Sequence, residues 1–298
     1  MNDDAARGAD VLTSTGPQPE PRRQPRRRLL RAGVLPTVFC PGCGGGTVLN
    51  CFTRAVEAVG LSPDRMCSVT GIGCSSWVLS PYFEADTLHT THGRAIAFAT
   101  GVKVARPDLK VVVIAGDGDL TGIGGNHLIH AARRNIDLAV VMINNSIYGM
   151  TGGQVAPSTP TGAKSTTTPW GNPEPPLRAA ELVAAAGGTY VARWTTYHVR
   201  QLLESFKTLL RHRGFGFIEV IAPCPTSFGK SAGWRSAADF LAHYRDRSVP
   251  LGAPGCAPDP ASDDTIVIGT FVQRDRPELT DQLEALALRA RAEVGVEP

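Results

Sequence analysis

Two groups of residues have the types and spacing to do chemistry. The first is Gly116-Asp117-Gly118, which runs on into Asp119 and is separated by 25 residues from Asn144-Asn145. Asp117 offers a charged hard oxygen, Asn145 a neutral one, and the backbone carbonyl two residues on, at Ile147, a third. Mg²⁺ takes few protein oxygens and completes its octahedron with phosphate and water. Gly116 and Gly118 carry no Cβ, so backbone there can come close to a phosphate. Together the two halves describe a metal-bridged diphosphate site. Each half alone also reads as an ordinary strand-to-helix turn, with Asp as a cap and Asn-Asn as a turn.

The second group is drawn from the seven cysteines. Cys40-Pro-Gly-Cys43 is a knuckle that can turn two sulfurs toward one centre. Cys74, in Gly71-Ile72-Gly73-Cys74-Ser75-Ser76, and Cys224, in Ala-Pro-Cys-Pro, each follow a predicted strand. A CxxC pair serves zinc, a redox disulfide or an iron–sulfur centre. Spacing leaves Zn²⁺ and a [4Fe–4S] cluster as equal readings of a Cys₄ set, although Cys-Pro also recurs at ferredoxin cluster ligands. Cys51 and Cys67 fall inside a predicted helix and strand and read as small core residues. Cys256 lies in a linker.

Positioning these groups needs strand ends. KVVVIAG and DLAVVMINN read as buried strands, with RMCSVTGIG, TYVARW and FGFIEVIAP as further strands. Between them, TVLNCFTRAVEAVG, GRAIAFATGVKVA, IGGNHLIHAARR, PPLRAAELVAAAGG and HVRQLLESFKTLLRHRG carry helical spacing. Alternating strands and helices predict an α/β fold with a doubly wound, mostly parallel sheet. Such a sheet binds ligands at the carboxyl ends of its strands, where both groups sit. Residues 151–177, rich in Thr, Pro and Gly, form a long loop of the kind that usually carries function. Residues 226–298 lack the rhythm and read as a C-terminal extension: a linker, APGCAPDPASDD, and a terminal amphipathic helix. Residues 1–35 read as a disordered basic arm.

With 298 residues, 42 % hydrophobic and 19 % charged, the chain is an ordinary globular one. The net charge of +3 is a property of residues 1–31, where seven arginines face four acids, and the remainder is balanced. The folded part therefore makes no electrostatic case for nucleic acid. No apolar run is long enough for a membrane span. No apolar stretch follows RRQPRRRLLR, so a secretory signal is not expected. Cysteines kept as thiolate ligands suit a reducing compartment, and a cytoplasmic location is the expectation.

GDG followed by NN resembles the motif of thiamine diphosphate enzymes. By that resemblance Asp117, Asn145 and Ile147 hold Mg²⁺, and Gly116, Gly118 and Asp119 border the diphosphate. A redox cluster beside a carbanion-forming cofactor gives electrons a destination, which tips the cysteines toward [4Fe–4S]. The blocks FCPGCG, GIGCSS, DTLHTTHGRAIAFATGVK, AGDGDLTGIGGNHLIHAARRNIDLAVVMINNSIYGMTGGQ and APCPT occur in order. With IVIGTFVQRDRPEL near the C-terminus, they resemble the β subunit of 2-oxoacid:ferredoxin oxidoreductases, the 2-oxoglutarate type most closely.

The resemblance implies a thiamine diphosphate and iron–sulfur binding domain over residues 36–225, with Cys40, Cys43, Cys74 and Cys224 as cluster ligands. It places Ile72, Gly73, Cys74, Ser75, His92, Gly118, Asp119, Gly149 and Met150 around the cofactor. It implies oxidative decarboxylation of a 2-oxoacid, with CoA taking the acyl group and ferredoxin the electrons. An α subunit supplies the other thiamine-binding domain and the Glu that activates the cofactor, since no acidic residue here suits that task.

His92 and Arg94, in HGR before a helix, are the candidate catalytic residues. Arg94 suits a bidentate contact to phosphate or carboxylate, or else a helix-end ion pair. Thr151 and Thr166–Thr168 are candidates for a substrate channel, and His127 and His130 read as helix or interface residues. Where many relatives carry a basic residue after GIGCSS, this chain has Trp77, which leaves pyruvate and branched-chain 2-oxoacids open beside 2-oxoglutarate. A non-oxidative thiamine enzyme would normally run longer. The non-enzymatic alternative is a zinc-stabilised scaffold whose basic arm binds nucleic acid.

Overall fold

The computed structural model describes residues 29–234, 236–253 and 265–295. The strands are β1 (Met66–Thr70), β2 (Asp86–His89), β3 (Lys110–Gly116), β4 (Ala139–Asn144), β5 (Tyr190–Thr195), β6 (Gly216–Ile221), β7 (Ser248–Pro250) and β8 (Ile266–Gln273). The helices are α1 (Gly45–Val59), α2 (Ala95–Ala105), α3 (Gly125–Arg134), α4 (Ala179–Ala186), α5 (Val199–Arg211), α6 (Lys230–Ala232), α7 (Ala237–Arg247) and α8 (Leu279–Glu293). The strands form one sheet in the order β2-β1-β3-β4-β6-β5-β8-β7. Every pairing is parallel except β5 with β8.

The strands read as buried are buried on both faces, because alternate side chains point to opposite sides. Val112, Ile114, Val141, Ile143, Ile218 and Val220 pack with α1 and α5 on one side. Val111, Val113, Ala115, Val140, Met142 and Phe217 pack with α2, α3 and α4 on the other. This is the expected doubly wound sheet with helices on both faces. From β1 the chain steps one way to β2 and the other way to β3 and β4, so a crevice opens between β1 and β3 at their carboxyl ends. The ends of β1, β3, β4 and β6 follow one another along that edge.

Two expectations about the ends of the chain shift. Residues 29–31, placed in the basic arm, are docked: Leu30 bridges to Phe83, and Arg31 donates to the carbonyls of Phe83 and Ala85 at 3.0 and 2.9 Å. The rest of that arm up to residue 28, and the linker from residue 254 to 264, lie outside the described residues. The C-terminal segment is more than an appendage, because β8 extends the sheet through β5. The terminal helix is present as α8. No described helix is long and apolar enough to cross a membrane.

Candidate active site: a strand-end cleft beside four cysteines

The carboxyl edge of the sheet holds a cleft lined by the loops after β1, β3 and β4 together with His92. All ten cofactor-binding residues expected from the sequence line it: Ile72, Gly73, Cys74, Ser75, His92, Gly116, Gly118, Asp119, Gly149 and Met150. Asp117, Asn145 and Ile147 line it too. Arg94 does not; its guanidinium turns to the carbonyls of Gly93 and Ile123, both at 3.4 Å. Thr151 lines the cleft, whereas Thr166 bonds to the carbonyl of Gly153 and Thr167 receives the Val155 N–H, so both brace the long loop itself. Trp77, 40 % exposed, is not part of the lining.

Three oxygens converge at the cleft floor. The Asn145 side-chain amide ends 3.3 Å from Asp117 Oδ1 and 2.7 Å from the Ile147 carbonyl oxygen. Turned with its nitrogen inward, the amide donates to both; turned with its oxygen inward, it completes a set of three hard acceptors that only a cation reconciles. Asp117 is fully buried and accepts a hydrogen bond from Ser158 Oγ. Burial pushes its carboxyl up to about 6, against the opposing pull of Ser158. A buried carboxylate without a cation partner is costly, so this donor set fits Mg²⁺ in charge and chemistry.

The walls require small residues. A Cβ on Gly118 would stand 2.2 Å from the Tyr148 ring, whose hydroxyl donates to the Gly118 carbonyl at 3.0 Å. A Cβ on Gly71 would fall 1.6 Å from Asp119 Oδ2. Asp119 itself braces the loops: it accepts the Gly93 N–H at 2.6 Å, and His92 Nδ1 lies 2.5 Å from the same oxygen. Burial raises the Asp119 pKa, while the Gly93 N–H and His92 oppose the rise. Sequence reading missed Tyr148 and Ser158. Tyr148 sits one residue beyond the last proposed metal ligand, and Ser158 lies in the long loop already marked as functional.

The four cysteines lie in one neighbourhood behind the cleft, with Cys224, Cys74 and Cys40 near enough to act on the charge of Cys43. Gly44 makes this possible: a Cβ there would come within 2.6 Å of Ala222 and 2.8 Å of Pro223, so the CPGCG turn can lie on the Cys224 loop. The Gly44 N–H donates to the Pro223 carbonyl at 3.1 Å. Cys43 is pushed up to about 11, mainly by burial, and Cys224, Cys74 and Cys40 add to the rise. Burial likewise raises Cys74, with Cys224 and Cys40 adding to it. Thiols raised in this way are protonated at neutral pH, and metal ligation is the kind of partner that would ionise them. Among the described residues, no three His, Cys, Asp or Glu side chains stand close enough together to hold a single ion. Cys74, Ser75 and Asn145 line both the cleft and the small pocket against Cys43. Cys51 and Cys67 are buried in the core as expected, and Cys256 lies outside the described residues.

Fold and cleft define a thiamine diphosphate-binding domain: residues 71–220 match the family of the thiamine pyrophosphate enzyme C-terminal TPP binding domain. The chain is 48 % identical to the 2-oxoglutarate synthase subunit KorB of Methanocaldococcus jannaschii, over 90 % of this chain and 99 % of that one. It is 44 % identical over 188 residues to subunit beta of 2-oxoacid:ferredoxin oxidoreductase 2 of Aeropyrum pernix, covering 63 % of this chain and 60 % of that one. A solved 2-oxoglutarate:ferredoxin oxidoreductase from Magnetococcus marinus, with 2-oxoglutarate, coenzyme A and succinyl-CoA bound, superposes with a TM-score of 0.79 at 32 % identity, covering 93 % of both chains. The chain belongs to the β subunits of the 2-oxoacid:ferredoxin oxidoreductases, which are thiamine-dependent enzymes.

Proposed function

We propose that this chain is the thiamine- and cluster-carrying subunit of a cytoplasmic enzyme that oxidatively decarboxylates a 2-oxoacid, 2-oxoglutarate first. The products are acyl-CoA and CO₂, and two electrons pass singly to ferredoxin. The observation that carries this reading is the shared wall. Cys74 belongs at once to the diphosphate cleft and to the cysteine set, so the carbon chemistry and the electron acceptor are neighbours. Thiamine diphosphate, when bound, supplies the electron sink for decarboxylation.

The residues divide the work. Asp117, Asn145 and the Ile147 carbonyl would hold Mg²⁺ against the diphosphate, and Gly116 and Gly118 admit the phosphates to the backbone. Asp119 holds the loop carrying His92 and Gly93 as one wall. Cys40, Cys43, Cys74 and Cys224 would hold a [4Fe–4S] cluster. The place of Cys74 on the wall of the cleft favours a redox cluster, which can take electrons from the carbon chemistry, over a zinc scaffold. The names of the relatives and the ligands of the solved neighbour favour 2-oxoglutarate and CoA. Trp77, being outside the lining, gives no reason to prefer pyruvate or a branched-chain acid. The substrate test is ferredoxin reduction by the assembled enzyme with 2-oxoglutarate, pyruvate and 2-oxoisovalerate in parallel. The highest kcat/KM is expected with 2-oxoglutarate, and no preference for it would contradict the assignment.

The cleft contains two carboxylates, Asp117 and Asp119, and no Glu. Both are engaged, one with Ser158 and one with Gly93. Activation of the cofactor therefore falls to the α subunit. The chain alone, loaded with thiamine diphosphate, Mg²⁺ and its cluster, is expected to reduce no ferredoxin until that partner is added. Turnover at the rate of the complex without the partner would contradict this.

Mg²⁺ binding should depend on pH with a definite sign. Burial pushes the Asp117 carboxyl up to about 6 in the folded chain without metal, and a cation needs it ionised. The rise in melting temperature on adding Mg²⁺ with thiamine diphosphate to the complex should be larger at pH 7.5 than at pH 5.5. A shift that is equal at both, or larger at the lower pH, would exclude Asp117 as the titrating ligand.

A further inference from the structure

Behind the metal loop lies a buried ionic cluster that the chemistry above does not use. Arg193 on β5 is 7 % exposed and Glu219 on β6 is 2 % exposed, and they are register partners across the two strands. Arg193 Nε donates to Glu219 Oε2 at 2.8 Å, and its Nη1 donates to Glu181 Oε1 on α4 at 3.0 Å and to the Val267 carbonyl on β8 at 3.3 Å. Burial alone would lower the Arg193 pKa, but Glu219 and Glu181 hold the guanidinium charged. Buried ion pairs are weak evidence of stability, because desolvation offsets much of their attraction. The cluster points instead toward the cleft.

The free oxygen of Glu219 receives Asn144 Nδ2 at 2.8 Å. Asn144 uses its other end, Oδ1, to accept the Ser146 N–H at 3.1 Å. Ser146 has φ +62°, a left-handed backbone conformation that a side-chain-bearing residue adopts only when something holds it there. Thr159 Oγ1 fixes the Ser146 carbonyl from the far side at 2.7 Å. Ser146 lies between Asn145 and Ile147, so its twist decides whether the Asn145 amide and the Ile147 carbonyl face the same point as Asp117. We infer that Glu219, held by Arg193, is a positioning residue for the metal site: through Asn144 it keeps Ser146 left-handed and so aims two of the three Mg²⁺ ligands. β8, far along the sheet, thereby reaches the cleft through Val267 and Arg193. This inference rests on the reading of the cleft as a Mg²⁺–thiamine diphosphate site.

The test titrates Mg²⁺ into the assembled complex stripped of divalent ions, reading retention of thiamine diphosphate by calorimetry and, separately, kcat at saturating Mg²⁺. Glu219→Gln keeps the size of the side chain but puts a donor against either Arg193 or Asn144. It is expected to raise the Mg²⁺ requirement by about 10–100-fold, the range for partners that orient ligands, with kcat recovered at high Mg²⁺. Adding Ser146→Gly, which needs no holding in the left-handed region, should restore most of the lost affinity. If Glu219→Gln fails to assemble, Asn144→Ala leaves the Arg193 ion pairs in place and carries the same expectations, including the rescue. Wild-type Mg²⁺ affinity in these variants, or a loss that Ser146→Gly does not restore, would overturn the inference while leaving the cleft reading intact. That reading fails separately if the wild type retains thiamine diphosphate without Mg²⁺, or if Asp117→Asn retains it normally.

Discussion

Asp117→Asn is expected to remove Mg²⁺-dependent retention of thiamine diphosphate and, in the same protein, to stabilise the unliganded chain at neutral pH. The two effects share one cause. Asp117 is a carboxylate in a fully buried place, with the Ser158 hydroxyl and backbone N–H groups as its donors and no cationic side chain among the described residues acting on it. Its folded pKa, raised to about 6, means that the native state favours the protonated form. The sign follows: the contribution to stability is complete below the unfolded pKa and is lost as pH rises through about 6. Relative to the ordinary value of 3.8, the penalty carried at pH 7.5 is at most about 3 kcal/mol. Asn keeps the size and an acceptor for Ser158 but carries no charge, so the variant without ligand should melt higher than the wild type at pH 7.5 and equally at pH 4. The metal site pays the reverse: with the anionic ligand gone, turnover of the complex should fall on the order of 1000-fold, the loss of several kcal/mol of metal-assisted stabilisation. Differential scanning calorimetry with and without Mg²⁺ and cofactor, alongside ferredoxin reduction, reads both. A variant that melts lower in the absence of ligand, or that still binds the cofactor with Mg²⁺, would contradict the assignment.

Cys43→Ser separates the electron path from the cofactor cleft. Cys43 lies against the cysteine pocket and does not line the cleft, unlike Cys74, which belongs to both. Burial pushes its thiol up to about 11, so under the proposed function the cluster would be what ionises it. Serine is nearly isosteric and a far poorer ligand for iron. The variant complex is expected to lose its iron and its colour, and ferredoxin reduction should fall by more than the ~100-fold that outer partners of a metal site typically cost. Mg²⁺-dependent binding of thiamine diphosphate should persist. Iron analysis, the visible spectrum and cofactor calorimetry on one preparation decide it. Full iron content in Cys43→Ser would remove this cysteine from the ligand set, and loss of the cofactor together with the iron would show that the two sites do not assemble independently.

The site was legible in the chain because its parts lie where local pattern is strongest. KVVVIA and AVVMI are continuous apolar runs that can only be strands buried on both faces, and the residues just after them had to lie on one edge of a parallel sheet. The four cysteines were a set by their CxxC knuckle and strand-end places, and the family resemblance chose the cluster over zinc; the physical reason their segments come together, Gly44 allowing the CPGCG turn onto Ala222 and Pro223, is a contact between segments far apart in sequence. β2 was passed over because Asp86–His89 is only half-buried and shows no alternation. β8 was missed as a strand because Gly269, with φ +135°, interrupts its pattern, and because its antiparallel docking on β5 has no local signature. Tyr148 and Ser158 are set by the folding of the long loop over the cleft. One available signal went unused. Glu in FGFIEVI and Arg in TYVARW are charges inside strands buried on both faces, where neither is tolerated unless paired, and their partnership is what reaches back to Asn144.

The central claim is that thiamine chemistry and a four-iron cluster share a wall in this chain, so that electrons taken from a 2-oxoacid arrive at its own cysteines. The most direct measurement is the visible spectrum of the complex with its partner subunit, purified without oxygen and loaded with thiamine diphosphate, Mg²⁺ and CoA, recorded before and after addition of 2-oxoglutarate with no ferredoxin present. The account predicts a brown protein carrying about four iron atoms at the Cys₄ site, whose colour bleaches on adding the substrate and returns on adding oxidised ferredoxin. A colourless protein holding zinc, or a brown one whose spectrum no 2-oxoacid changes, would contradict it.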